Sequence, residues 1–174
     1  MEIIDGPFGL RFVKIEASEI YLGTDKGAWV YASERPRHRV SLPSFMIMEE
    51  PITESQYSMI LGEEGNSEEL KDMITNDDVK KISDILSQHF DEEVRRPTQS
   101  EWKAAEGVIS LPCGWTELLA DEATGNHRGA SLDGRPRIGE MIGPMAGHRV
   151  SQSAHPTKEA VSYTHLTLPT RYRV

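Results

Sequence analysis

The chain has 174 residues, of which 37% are hydrophobic, and a formal net charge of −9 at pH 7. That length suits one domain with its own core rather than two. Mean hydropathy is −0.48, and no run approaches the roughly 20 apolar residues of a membrane helix. The acidic balance disfavours nucleic acids and anionic membranes as partners, because phosphate binding needs clustered cations.

The first residues and the cysteine content predict the compartment. Glu2 and Asp5 stand where a secretory signal would carry basic residues, and no long apolar run follows them. Cys113 is the single cysteine of the chain, which excludes an internal disulfide and fits a reducing environment. We therefore expect a cytoplasmic protein.

Four short strands are predicted before residue 50. Runs rich in β-branched and aromatic residues, bounded by turn-forming residues, are typical of strands. These runs are 12–15, 19–22, 39–42 and 45–48. A helix is predicted next, because Thr53 with Gln56 three residues later forms a capping box. It should end at Gly62, where glycine can adopt the left-handed conformation of a C-cap.

Two more helices are predicted between residues 63 and 107. The acidic stretch 63–76 is weakly patterned and is predicted to be a mobile loop with a helical turn near 68–74. Asp77 or Asp78 is expected to cap a helix that ends near Phe90, because apolar residues recur there at helical spacing. A second capping box at 98–101 predicts another helix, which stops at Gly107. Short strands and ordered loops are expected beyond it.

The last residues are predicted to have a different origin. Residues 161–170, V-S-Y-T-H-L-T-L-P-T, can be written as GTC TCT TAT ACA CAT CTG ACG CTG CCG ACG. That string matches a transposon-end adapter used in sequencing libraries. We therefore expect residues 164–174 to be a translated adapter, to be left out of fold reasoning. Sequencing the intact locus tests this expectation, which recovery of the same tail from an unfragmented clone would overturn.

Sequence blocks along most of the chain occur in an order that is typical of one protein family. The segment R-R-P-T-Q-S-E-W at 95–102 resembles R-L-P-T-E-A-E-W of the formylglycine-generating-enzyme (sulfatase-modifying factor) family. The segment E-R-P-R-H-R-V-S-L at 34–42 resembles its E-x-P-x-H-x-V-x-L. Weaker matches are F-V-K-I and I-Y-L-G-T at 12–15 and 20–24, P-I-T-E-S-Q-Y at 51–57, W-T-E-L-L-A-D at 115–121 and R-G-A-S at 128–131.

The resemblance implies one compact α+β domain of the C-type-lectin-like kind, spanning residues 1–163 and lacking its last strand. In such a domain the matched residues are structural: Thr98, Glu101 and Trp102 cap and anchor a helix, and Glu117 belongs to the block at 115–121. Gly129 would shape a turn, because glycine permits positive φ. A fragment without its final core strand would have only a marginal stability, so a degenerate domain with only a structural role is a further alternative.

The departures from the family bear on function. Its enzymes carry two cysteines downstream of the R-G-G-S-W block, and thiolates are the ligands that Cu(I) prefers. Residues 132–160 contain no cysteine, and Cys113 matches neither position. The histidines also lack the spacing of the iron-dependent relatives, which leaves Asp121 and His127 as weak metal candidates. The long insertion that holds calcium ligands in the family is replaced by residues 107–114. We therefore expect no cofactor, although the family implies copper or iron, and sometimes calcium.

Two functions from different classes follow. The first is a non-catalytic, shortened member that binds an unknown protein or a small anionic ligand at the loop 126–148. Arginine guanidinium groups bind anions in fork geometry, and the candidate residues are Arg128, Arg135, Arg137, His148 and Arg149. These arginines could instead pair with the protein's own carboxylates. The alternative function is an oxidoreductase of the formylglycine-generating or nonheme-iron type with an altered metal site.

Overall fold

The computed structural model describes residues 2–26, 35–72, 74–109, 116–122, 126–138, 148–152, 162–163 and 165–169. Within these ranges it is a mixed α+β domain whose sheets are mainly antiparallel. The strands are β1 (Ile3–Asp5), β2 (Arg11–Ile15), β3 (Ser18–Leu22), β4 (His38–Leu42), β5 (Phe45–Met48), β6 (Thr116–Glu122), β7 (His148–Gln152), β8 (Ser162–Tyr163) and β9 (Thr167–Pro169). The helices are α1 (Glu54–Leu61), α2 (Asn76–Phe90) and α3 (Gln99–Ala105), and a 3₁₀ turn spans Pro7–Gly9. None of the helices in the described ranges combines the length and apolar composition that crossing a bilayer requires.

The central sheet has the strand order β1-β2-β5-β9, and its inner strand β5 is buried on both faces. All four residues of β5 are buried. Because successive side chains of a strand point to opposite faces, Met46 and Met48 face one core while Phe45 and Ile47 face the other. The continuous apolar run at 45–48 therefore reflects two covered faces, where alternation would have indicated one.

Two hydrophobic cores lie on either side of this sheet. The first lies against α1 and α2 and contains Ile52, Tyr57, Ile82 and Leu86. The second lies against the β3–β4 ribbon, α3 and β6, and contains Trp102 and Leu119 among its buried residues. The four predicted strands and the start of α1 at Thr53 are confirmed.

Two predictions about the segment before α2 are wrong. No helical turn forms among the described residues of 68–74; instead Leu70 makes an antiparallel bridge to Thr53. The backbone carbonyls of Ser67 and Glu69 accept from the amides of Ser55 and Glu54, at 2.9 and 2.8 Å. Those carbonyls accept from the first amides of α1, so their own segment does not form a helical turn. The cap of α2 is Thr75 rather than Asp77 or Asp78.

Residues 165–169 lie inside the fold. Strand β9 pairs with β5, and Leu166 is fully buried in the first core. The prediction that this tail comes from an adapter concerns the DNA, and it stays a prediction. In the chain as given, these residues supply the edge strand of the central sheet.

Candidate functional site

A small polar cleft lies where the starts of α3 and β4, the end of β6 and the segment 126–138 meet. Its volume is about 30 Å³, room for one or two water molecules or a single carboxylate group. The cleft collects four of the residues that the sequence singled out: Asp121, His127, Arg135 and Arg137. The other residues that line it are Leu22, His38, Gln99, Ser100, Glu122, Ala130 and Ser131.

Asp121 joins helix α3 to the segment 126–138. One carboxylate oxygen, Oδ2, accepts from the backbone amide of Gln99 at 2.6 Å, and Oδ1 accepts from the amide of Arg137 at 2.9 Å. The amide of Gln99 lies in the first turn of a helix, where no intrahelical acceptor exists. The carboxylate of Asp121 therefore completes a helix end and fixes a loop at the same time.

Arg137 holds the loop closed through its side chain. Its Nη1 donates to the carbonyl of Asn126 at 2.8 Å, and its Nη2 donates to the carbonyl of Arg128 at 2.5 Å. The turn closed by the amide of Ala130 on the carbonyl of His127, at 3.1 Å, contains Gly129 at φ 74°, the positive angle predicted for it. The guanidinium of Arg137 thus binds backbone carbonyls, and this residue frames the cleft.

Arg135 pairs with a carboxylate of the protein, which is one of the two alternatives that the sequence leaves open for the arginines. Its Nε lies 3.1 Å from Oδ2 of Asp133, and its side chain is 84% exposed. The hydroxyl of Ser131 donates to Asp133 Oδ1 at 2.5 Å. This hydroxyl, followed by the amide and charge of Arg135, lowers the pKa of Asp133. The pairing uses Nε of Arg135, so its two Nη groups lie outside that contact.

Two histidine rings meet in the cleft. The rings of His38 and His127 lie edge to face, with centroids 5.0 Å apart and planes at 88°. His127 is 5% exposed, and its amide donates to the carbonyl of Arg35 at 2.6 Å. His38 was not among the predicted site residues. The sequence feature that could have identified it is its position in β4, where it lies on the same inward face as Val40 and Leu42.

No metal centre is found among the residues that the structure describes. Within those ranges, no three histidine, cysteine, aspartate or glutamate side chains lie close enough together to hold an ion. Cys113 lies outside the described ranges. His148 and Arg149 lie on β7, where His148 is in register with Glu122 of β6, but their side chains are not described. Arg128 is exposed beside the cleft and does not line it.

The motif at the start of α3 supports one wall of the cleft. The capping box between Thr98 and Glu101 is confirmed, with Thr98 N to Glu101 Oε2 at 2.8 Å. Arg95 binds both carboxylate oxygens of Glu101, at 2.8 and 2.7 Å. Burial lowers the pKa of Arg95, but its hydrogen bonds and charge pairing with Glu101 outweigh that effect and raise it. Trp102 is buried in the second core directly behind.

Glu117 lies on β6 and is fully enclosed. Its Oε1 accepts from the amide of His165 at 2.6 Å, and its Oε2 lies 3.1 Å from His165 Nδ1. Burial raises the pKa of Glu117, and the contact with His165 opposes that shift. The ring of His165 packs edge-on against Trp102, with centroids 5.3 Å apart. Glu117 therefore lies in the interior, where it ties β6 to the chain's last segment.

Comparison with known proteins identifies the fold alone. No family model matches the sequence, and no curated protein matches it. Among solved structures, PvdO from Pseudomonas aeruginosa is similar with a TM-score of 0.71 and 13% identity, covering 97% of this chain and 98% of that one. The Treponema denticola variable protein 1 is similar with a TM-score of 0.67 and 13% identity, covering 97% and 99%. The whole described architecture is therefore one that other proteins share.

Proposed function

We propose that this chain is a shortened, non-catalytic domain of the formylglycine-generating-enzyme type, with a C-type-lectin-like fold, that acts as a ligand- or partner-binding module. The ordered sequence blocks from residue 12 to residue 131 support the family. The absence of any cysteine from 132–160 supports a function other than copper oxidation.

The observation that carries the proposal is the rigid framing of segment 126–138. Asp121 holds its far end through the amide of Arg137, and Arg137 ties that end back to the carbonyls of Asn126 and Arg128. Binding residues of proteins are often found on loops that a rigid scaffold holds in position. A loop that is already ordered loses little conformational entropy when a ligand binds to it.

The chemistry of the cleft suits a small anion such as a carboxylate group. Arg135 stands at its edge with two Nη groups outside the Asp133 pair, and guanidinium groups bind carboxylates through paired N–H donors. A cleft of about 30 Å³ admits a single carboxylate rather than a whole metabolite. The ligand would therefore be a small organic acid or the carboxylate end of a larger molecule.

A titration with matched arginine variants tests this function. Acetate and inorganic phosphate are titrated to millimolar concentration while amide chemical shifts are followed by NMR. We expect shifts in segment 126–138 that Arg135→Ala abolishes. Arg11→Ala is the control, because Arg11 is also exposed and paired with a carboxylate, Glu49 at 3.0 Å, but lies away from the cleft. The absence of shifts, or an equal loss in both variants, would contradict the proposed site.

Metal analysis distinguishes the binding module from the oxidoreductase alternative. The chain is purified without chelators, and copper and iron are measured per chain. Stoichiometric metal that disappears on His127→Ala or Cys113→Ala would overturn the binding-module proposal. Metal well below one ion per chain, unchanged in both variants, is the expected result.

A further inference from the structure

The outer face of the β3–β4 ribbon carries an exposed aromatic and two arginines. The strands pair with Tyr21 directly opposite Arg39, and both are exposed while their neighbours Leu22 and Val40 are buried. Tyr21 retains 51% of its surface. This face is on the opposite side of the ribbon from the cleft, because His38 and Leu22, which line the cleft, alternate with these residues.

The guanidinium of Arg37 lies over the ring of Tyr21. Its guanidinium carbon is 3.9 Å from the ring centroid, and its backbone amide is held by Asp25 Oδ1 at 2.9 Å. Among the residues that the structure describes, no carboxylate forms an ion pair with the Arg37 side chain. A guanidinium held over an aromatic ring by a cation–π contact is partly ordered before a carboxylate arrives.

Arg39 has only a weak partner on the same face. Its Nη1 lies 3.3 Å from Oε2 of Glu19, and the two side chains are 61% and 56% exposed. An exposed pair of this kind contributes little stability and exchanges readily for another carboxylate. Leu132, itself 62% exposed, borders the face because its carbonyl accepts from the amide of Ser41 at 2.9 Å.

Stabilising the ribbon alone does not account for this composition. A diagonal cross-strand contact such as Arg37 on Tyr21 supplies at most about 1 kcal/mol at an exposed site. The chain as a whole has a net charge of −9, yet this face presents two arginines and an exposed tyrosine, with the carboxylates of Glu19 and Asp25 beside the arginines. Tyrosine and arginine are the residues that dominate the energetics of protein interfaces.

We propose that the outer face of the ribbon, formed by Tyr21, Arg37, Arg39 and Leu132, binds an extended acidic segment of a partner protein. Arg37 and Arg39 are two positions apart, about 7 Å along an extended chain. Carboxylates on alternate residues of an extended peptide have the same spacing and would meet both arginines. A nucleic acid is a poorer occupant, since phosphate backbones need more clustered cations than the two arginines of this face.

This partner rests on the proposal that the chain is a binding module, but it uses a face separate from the cleft. The probe is a fluorescein-labelled peptide of alternating glutamate and threonine, eight residues long, measured by fluorescence anisotropy at low salt. We expect binding that weakens about tenfold in Arg37→Ala, the loss of one charge-assisted contact. Arg37→Lys should weaken it less, Tyr21→Ala should weaken it because the ring under Arg37 is lost, and Arg11→Ala should leave it unchanged.

Each of several results would overturn the proposal. These are no binding of the glutamate peptide, equal binding of a glutamine peptide, or equal losses in Arg37→Ala and Arg11→Ala. Sedimentation showing that Arg37→Ala dissolves a dimer of the chain would assign the face to a second copy instead. Acetate titration of Arg37→Ala keeps the two proposals apart, because cleft binding should persist in that variant whether or not the peptide binds.

Discussion

Helices α1 and α3 begin with the same local motif but are held in different ways. Each has a threonine N-cap whose side chain accepts from the third helical residue, which reaches back to the cap amide. In α1 that third residue is Gln56, whose Nε2 also donates to the carbonyl of Gly9 at 3.1 Å. In α3 it is Glu101, only 5% exposed and bound on both oxygens by Arg95.

The acceptors of the other first-turn amides also differ between the two helices. In α1 they are satisfied by backbone carbonyls of Ser67 and Glu69, which any residue could supply. In α3 the amide of Gln99 is satisfied by the carboxylate of Asp121. A helix start built from backbone partners tolerates substitution, whereas one built from carboxylates depends on particular side chains.

The largest expected effect is the loss of Glu101. Glu101→Ala should lower the free energy of unfolding by about 3 kcal/mol, because it leaves the largely buried guanidinium of Arg95 without its carboxylate. Gln56→Ala, the matched change in α1, should cost about 1 kcal/mol, since it removes neutral hydrogen bonds. Urea denaturation followed by circular dichroism measures both. Equal losses would mean that the buried pair adds nothing to the motif.

Asp121 ranks next. Asp121→Ala removes the acceptor of two backbone amides, those of Gln99 and Arg137, and should cost about 2–4 kcal/mol. Asp121→Asn retains one carbonyl oxygen and should cost roughly half as much on the same reasoning. Hydrogen exchange of the Arg137 amide should accelerate in both variants. Unchanged exchange there would mean that Asp121 does not fix the loop.

The threonine caps allow a direct comparison of the two helix starts. Thr98→Ala should cost about 1–2 kcal/mol and Thr53→Ala about 0.5–1 kcal/mol, within the usual range for removal of an N-cap side chain. The difference is expected because Thr98 is 1% exposed and also contacts the hydroxyl of Ser100 at 3.0 Å. Thermal unfolding of the two variants checks the order, and a larger loss for Thr53→Ala would reverse it.

The smallest expected effect concerns α2, whose cap is a third version of the same arrangement. Thr75 accepts from the amide of Asp78, and its hydroxyl donates to Asp78 Oδ2 at 2.6 Å. This hydrogen bond is the main cause that holds the pKa of Asp78 below its ordinary 3.8. Because the folded pKa is depressed, the contribution is present above the ordinary value and is lost as pH falls through the folded one. Unfolding midpoints measured down the acid limb should fall less steeply in Asp78→Asn, and an identical slope would contradict the assignment.

Local motifs were predictable where both partners lie within one helical turn. Thr53 with Gln56 and Thr98 with Glu101 are three residues apart, so their spacing alone indicates the contact. The predicted cap of α2, Asp77 or Asp78, lies two or three residues too late, although Thr75 and Asp78 have that same spacing with an aspartate in place of glutamate. Hydrogen bonds between residues distant in sequence could not be predicted in this way; Gln99 and Asp121, for example, are 22 residues apart.

In the candidate site, too, local features were predictable and long-range contacts were not. The sequence placed Arg128, Arg135 and Arg137 on a glycine-containing loop, and Gly129 in a turn, and the loop is there. It could not assign their roles, because Arg137 binds carbonyls that are determined by the path of the chain. His38 was passed over because its inward position in β4 resembles an ordinary core residue until His127 is brought against it.

The double use of Asp121 has a consequence for which positions can change over time or in the laboratory. It contacts the amides of Gln99 and Arg137, and an amide is present at every position except proline. Together with the positive φ angles at Gly129 and Gly134, this carboxylate constrains the backbone of the segment without using the side chain of Leu132. Leu132 is exposed and does not line the cleft, so its position can be changed to retarget the surface while the helix start and the cleft wall stay in place.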